Sequence, residues 1–390
     1  MRQFFLTRLE KVVSGAGAIE RIGDELDRRG ASRALLVTGA SLGRSRLLDR
    51  VRGALGARCQ AVYAGAAQHA PAGRVRELSA ALERSRSDSV VSFGGGSVID
   101  SAKVAVASRL NGRDMTLEAG ALDFAQAFTA ASGPGLVHIA VPTTLSAGAF
   151  TPGGGVTDEA TRLKRAVIDP RIQPCVVIHD PELCVATPDE LWISTGIRVL
   201  DHAIEAIYAK RAHPLSSALA VRAIRMSVEH LPKSLGSTPS HIAHRGECLD
   251  AAWFSLYGAF STGLGLSHAL GHQIGPAWNV PHGLTSCIAL VPAMRFMGEV
   301  VPEKFADIAE GLQVTFDPAR PRQGALACAD AVRAFIARFP VPTKLRELKV
   351  ERARLYEIAE AVREELESFD AMERAVTIEE IRGLLDAAYE

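Results

Sequence analysis

The sequence is poor in the features that mark membrane-spanning, nucleic-acid-binding and disulfide-built proteins. No stretch reaches the ~18 consecutive apolar residues that a spanning helix needs, and the opening Met1 to Arg8 has too short an apolar run for a secretory signal. A cytoplasmic setting is therefore expected. Lys+Arg and Asp+Glu both number 44, so the formal net charge is zero. No bulk field is left to hold a nucleic acid or an anionic membrane, and neither partner is expected. Six cysteines, Cys59, Cys175, Cys184, Cys248, Cys287 and Cys328, stand apart without a C-x-x-C pair. That excludes a zinc knuckle or thioredoxin-type motif and predicts reduced, buried thiols. Internal repeats and low-complexity segments are absent as well.

What is present is an ordinary globular composition in 390 residues, 47% hydrophobic and 23% charged, long enough for two domains. The two halves follow different patterns. Ala34 to Thr38, Ser89 to Phe93, Leu136 to Val141 and Val176 to His179 are short, continuous β-rich runs with helical stretches such as Val75 to Arg84 between some of them. Parallel strands buried on both faces read this way. After about residue 186 the strand signal fades. Thr187-Pro188-Asp189-Glu190 has a hydroxyl cap, a proline at the first helical position and a glutamate three after the cap. Helical periodicity then runs on to a last segment, Ile378 to Tyr389. The expectation is an α/β nucleotide-binding domain with a parallel sheet over residues 1–186 and an all-α domain over 187–390. Asn111 to Gly135, polar and glycine-bearing, is read as a surface excursion.

Two clusters carry chemistry. Phe93 runs into Gly94-Gly95-Gly96-Ser97, and Val98-Ile99-Asp100-Ser101-Ala102-Lys103 then opens a helix. Glycines let backbone N–H groups approach a phosphate, and the helix start adds its positive dipole end. Ser97 is placed to cap the helix or to donate to a phosphate oxygen. In the helical half, His268 and His272 are an i, i+4 pair on one helix face, with His202 upstream and His282 downstream. Neutral imidazoles gathered in one place are natural ligands of Fe(II) or Zn(II).

The segment G-G-G-S-V-I-D-S-A-K closely resembles the pyrophosphate-binding signature of the iron-containing alcohol dehydrogenases. Pro142-Thr143-Thr144 resembles that superfamily's second cofactor segment, and Val156 to Glu159 with Lys164, Asp169-Pro170 and Asp180 to Leu183 fits its frame. The resemblance implies a dehydroquinate-synthase-like fold and an NAD(P)-dependent oxidoreductase that moves hydride between a nicotinamide and a small carbonyl or alcohol. It implies cofactor contacts at Gly39, Ser41, Gly94, Gly95, Gly96, Ser97, Asp100, Thr143, Thr144 and Lys164. The superfamily's metal ligands, one aspartate and three histidines, fall on position 198, His202, His268 and His282, while His272 falls beside the substrate.

Position 198, however, is arginine. A guanidinium ~4 Å from a dication, at an effective dielectric of ~20, costs on the order of 8 kcal/mol. Fe(II) or Zn(II) is thus expected to be absent or weakly held, and the catalytic set becomes His202, His268, His272, His282 and Arg198. Arg198 either receives a substrate carboxylate or pairs internally with Asp201 or Glu205. Maleylacetate reductases also lack that carboxylate, and Pro142 to Pro152 matches the length of their cofactor segment. They carry G-S-E where this chain has Ala147-Gly148-Ala149, so the match is partial. The expected activity is maleylacetate-reductase-like, on a small carboxylated substrate. The alternatives are a metal-dependent alcohol dehydrogenase of small alcohols and aldehydes, a dehydroquinate-synthase-like lyase, and a nucleotide-binding protein without catalysis. Gly39 stands where NAD-strict relatives often carry aspartate, so NADPH is expected to serve at least as well as NADH. The expected assembly is a homodimer.

Overall fold

A computed structural model describes residues 8–120, 135–161, 164–236 and 240–390. The segment before Arg8 and most of the excursion between Asn111 and Gly135 lie outside the described residues. By internal contacts the chain divides into a unit ending at Thr187 and a unit from Pro188 to Glu390.

The first unit is built on a six-stranded parallel sheet: β1 (Lys11–Ser14), β2 (Ala34–Gly39), β3 (Cys59–Ala66), β4 (Ser89–Gly94), β5 (Val137–Pro142) and β8 (Val176–His179). The order across it is β1-β8-β5-β4-β2-β3, every pairing parallel. Alternate residues of one strand enter different cores. Leu35, Val37 and Val90 pack with Leu78 and Leu82 of α3 (Ala72–Ser85) and with Val104 and Ala105 of α4 (Gly96–Asn111). Leu36, Val91, Phe93, Ile139 and Ile178 pack with Ile22 and Leu26 of α1 (Ile22–Asp27) and Val51 and Leu55 of α2 (Arg46–Leu55). Burial on both faces is why these strands read as unbroken apolar runs, each large side chain contributing about 1.5–3 kcal/mol. The edge strands β1 and β3 and a two-stranded antiparallel hairpin, β6 (Gly153–Thr157) with β7 (Lys164–Ile168), carry no such run and go beyond the sequence reading.

The second unit is helical, and no strand follows His179 among the described residues. Its helices are α5 (Asp189–Tyr208), α6 (Pro214–His230), α7 (His241–Ala259), α8 (Leu266–Trp278), α9 (His282–Val300), α10 (Phe305–Leu312), α11 (Pro321–Ile336), α12 (Ala359–Phe369) and α13 (Ile378–Tyr389). From Trp192 to Tyr208, α5 is buried all round, packed against α6, α7 and α9. A helix buried on every side shows no polar stripe. No single helix among the described residues is long and apolar enough to cross a membrane.

Two expected helix caps are corrected. The α5 start has no side-chain cap, because the Thr187 hydroxyl instead donates to the Thr143 carbonyl at 2.7 Å. Likewise Ser97 does not cap α4; its hydroxyl accepts the His69 backbone N–H at 3.1 Å. All six cysteines are free, and Cys59 and Cys175 are only half-buried.

Candidate functional site

In the first unit the phosphate loop is shaped by close packing. A side chain at Gly95 would meet Thr144 at 3.2–3.3 Å, and one at Gly96 would meet the Ser146 Oγ at 2.9 Å. The glycines thus bring the α4 start against two hydroxyls, Thr144 Oγ1 and Ser146 Oγ, both buried and without a hydrogen-bond partner. Buried orphan hydroxyls beside free helix-start N–H groups are what phosphate oxygens satisfy, so the residues fit a dinucleotide. Thr143 is buried and its N–H donates to Gly94 O at 3.0 Å, tying the two cofactor segments together. On the hairpin, Lys164 Nζ lies 3.5 Å from Asp100 Oδ2. Gly39 ends β2, while Ser41 and Arg44 beyond it are exposed. Ser146 and His69 were not singled out in the sequence; an orphan hydroxyl becomes visible only once its neighbours are placed.

Lys103 has a different job from phosphate binding. It is wholly buried, and its ammonium donates to the carbonyls of Gly148, Thr151 and Gly153 and to Thr151 Oγ1. Burial pushes its pKa down to about 8.

In the second unit the four histidines come together. His202 and His268 stack with ring centroids 4.8 Å apart, His268 and His272 meet edge-on at 6.2 Å, and His272 and His282 stack at 5.2 Å. Glu205, wholly buried on α5, organises the group. It accepts the backbone N–H groups of Gly265 (2.8 Å) and Ser267 (2.7 Å) at the start of α8, the Tyr208 hydroxyl (3.2 Å), and His268 Nδ1 at 2.5 Å. With His268 Nδ1–H committed to this carboxylate, Nε2 is left as a buried acceptor without a partner. Burial, then the neighbouring cations, hold the pKa values of His202 and His268 well below the ordinary histidine range. Burial raises Glu205 to about 7 and also raises Asp201. On α8, His272 Nδ1 is held by Glu365 of α12, whose other oxygen accepts Gln273 Nε2 at 2.8 Å.

Arg198 lies in the same cluster, 4% exposed. Of the two readings of Arg198, internal pairing with Asp201 or Glu205 is corrected: neither carboxylate lies within 4 Å, and the guanidinium instead meets Ser286. Among the described residues its one hydrogen bond is Nη1–H to Ser286 Oγ at 3.0 Å, and Ser286 in turn donates to Asp201 Oδ2 at 2.6 Å. Asp201 Oδ2 also accepts Ser267 Oγ at 2.9 Å. Burial pushes the guanidinium pKa down to about 10, so it remains charged at neutral pH.

A dication at the superfamily's ligand set would have this cation in place of its carboxylate, and that set does not fit. A second set, Asp201, Glu205 and His268, has ligand atoms within 4.8 Å of one another. Both oxygens of Glu205 are already engaged, which leaves Asp201 Oδ1 and His268 Nε2 as its open donors. Two donors are too few for Zn(II) or Fe(II) without dismantling the α8 start.

The architecture and the two clusters define a nicotinamide-dependent oxidoreductase, and comparison with known proteins agrees. Residues 10–181 match the iron-containing alcohol dehydrogenase model and residues 192–389 the C-terminal model of the same family. A NAD-dependent methanol dehydrogenase of Bacillus methanolicus is 31% identical over all of both chains. A maleylacetate reductase of Burkholderia cepacia is 30% identical, covering 80% of this chain and 81% of its own. The crystal structure of maleylacetate reductase from Agrobacterium tumefaciens superimposes with a TM-score of 0.80 at 26% identity, covering 100% of this chain and 98% of its own. The chain belongs to the iron-containing alcohol dehydrogenase family, on its maleylacetate-reductase-like branch.

Proposed function

We propose that this protein is an NAD(P)H-dependent reductase of a small carboxylated carbonyl compound, and that it works without a metal ion. The observation that carries the reading is Arg198: a buried cation among four histidines, with no ion pair among the described residues. Leaving a buried charge uncompensated is costly unless a ligand completes it. A carboxylate fits, because the guanidinium fork presents parallel donors to two oxygens, and among the described residues Nε and Nη2 of Arg198 carry no hydrogen bond.

When bound, the nicotinamide supplies or accepts the hydride. Arg198 anchors the substrate carboxylate and so fixes the carbonyl. Negative charge then grows on the carbonyl oxygen, and a donor must meet it. His202 and His268 are buried and held neutral, which suits them to orient and to exclude water. His272 is the proton donor we favour: it is 27% exposed and has a carboxylate partner. His282, stacked on it, completes that face. In the first unit Gly94 to Ser97, Asp100, Thr143, Thr144 and Lys164 receive the dinucleotide, with Gly39 and Ser41 at its ribose end. The expected setting is the cytoplasm, and the expected assembly a homodimer.

A panel of carboxylated and plain carbonyl compounds, assayed with NADH and NADPH, tests the reading. The expected result is turnover of carboxylated substrates, with kcat/KM reduced about 10–100-fold by Arg198→Ala, the loss of one charge-assisted hydrogen-bonded pair. Preference for plain alcohols or aldehydes, unaffected by that substitution, would overturn it.

A further inference from the structure

We infer that Glu365, on α12, is a positioning residue for His272. The inference rests on the reading of His272 as proton donor. Both oxygens of Glu365 are engaged by consecutive residues of α8, His272 through Nδ1 and Gln273 through Nε2 at 2.8 Å. A carboxylate held at both oxygens cannot rotate away from the ring. It is an acceptor, so the proton between them belongs to His272 Nδ1. That fixes the tautomer and directs Nε2 away from α12.

The arrangement parallels the buried pair Glu205 and His268 one turn earlier on α8, with one difference. Glu205 and His268 are both fully buried, whereas Glu365 is 15% exposed and His272 27% exposed. The first pair is sealed, while the second can meet a substrate and recover a proton from solvent. Across the reaction, the carbonyl oxygen takes the Nε2 proton as hydride reaches the carbon. The ring, neutral again, keeps Nδ1–H on Glu365. No sequence pattern marks Glu365: it stands in Arg363-Glu364-Glu365-Leu366-Glu367, a run that reads as a solvated helix face.

The experiment combines an activity-independent readout with a double-variant cycle. Protein with ¹⁵N-labelled histidine, above neutral pH, is expected to show His272 protonated at Nδ1, and Glu365→Ala to return the ring to the Nε2-protonated form that free histidine prefers. Glu365→Ala is expected to lower kcat by roughly 10–100-fold, with the Kd for NADPH unchanged, and Glu365→Gln, which retains an acceptor, to lose less. In a His272→Ala background, Glu365→Ala should add no further loss, because it acts through the ring it positions. An unchanged His272 tautomer in Glu365→Ala, or losses that multiply in the double variant, would overturn the inference. Should the wild type reduce no substrate in the panel, the proposed function fails while the tautomer measurement still decides the role of Glu365. Should Glu365→Ala prove unfolded, Glu365→Gln carries the same cycle.

Discussion

At the scale of single residues, predictions about cofactor preference and acid sensitivity rest on individual side chains. β2 ends at Gly39 rather than at a carboxylate that would oppose a 2′-phosphate at the proposed ribose end, and Arg44, five residues on, is exposed. NADPH is therefore expected to serve at least as well as NADH, and Arg44→Ala to raise the KM for NADPH about tenfold while sparing NADH. Steady-state kinetics with both cofactors check this; equal effects on the two would sink it. His138 is wholly buried on β5, with Nε2 2.8 Å from Ser92 Oγ. Burial, then Lys103, pushes its pKa down to about 3, against about 6.5 in the unfolded chain. Between those values the unfolded chain binds the proton and the folded chain does not. The stability contributed by the neutral ring is therefore complete above about pH 6.5 and is lost as the pH falls toward 3. At pH 5 the loss is about 2 kcal/mol. His138→Gln should flatten the fall in denaturation midpoint between neutral pH and pH 5, and an equal slope in the variant would show that other groups dominate.

At the scale of elements, buried charges do the work of connecting segments. Lys103 of α4 gathers the carbonyls of Gly148, Thr151 and Gly153, so the segment after Thr143 and Thr144 folds around an ammonium. Lys103→Met keeps the stem but leaves those carbonyls without a donor, each costing about 1–3 kcal/mol. Equilibrium denaturation should show a loss of at least ~3 kcal/mol, together with weaker NADPH binding because the segment carries Ser146 and borders Thr144. A variant of native stability would mean that water replaces the ammonium. Glu205 plays the corresponding part at the start of α8, where one carboxylate receives two backbone donors and orients His268.

At the scale of the whole molecule, the proposed function makes the balance of charge around Arg198 the test of what the helical unit binds. On the proposed reading, a buried guanidinium, two carboxylates of raised pKa and the low pKa values of His202 and His268 match an anion better than a dication. Activity is expected to survive dialysis against chelator, and protein purified without added ions to carry far less than one equivalent of Fe or Zn by elemental analysis. Arg198→Asp removes the repulsion and restores a fourth ligand, so its Zn(II) affinity should rise by at least ~100-fold in a competitive chelator titration. Stoichiometric metal in the wild type, lost together with activity, would refute this. Saturating NADPH at ~100 times its Kd should stabilise the fold by about 2.7 kcal/mol, read as a raised Tm, with or without chelator.

The central strands β2, β4, β5 and β8, the phosphate loop and the histidine spacing were legible because each depends on local chemistry. Continuous apolar runs are what a sheet buried on both faces requires, three glycines are what close approach requires, and i, i+4 places two imidazoles on one helix face. The edge strands and the hairpin were not legible, because β3 and β6 are largely small and glycine residues and β1 and β7 are short and open on charged ones, so that only pairing with neighbours makes them extended. The sequence alone also determined that a cation stands at position 198. Only tertiary structure decided that this cation pairs with no carboxylate among the described residues, that Ser286 stands between it and Asp201, and that Glu365, more than ninety residues beyond His272, holds that ring. Hydrogen bonds between distant segments depend on where helices cross, and crossing geometry comes from the packing of entire helix faces, which no local window of sequence contains.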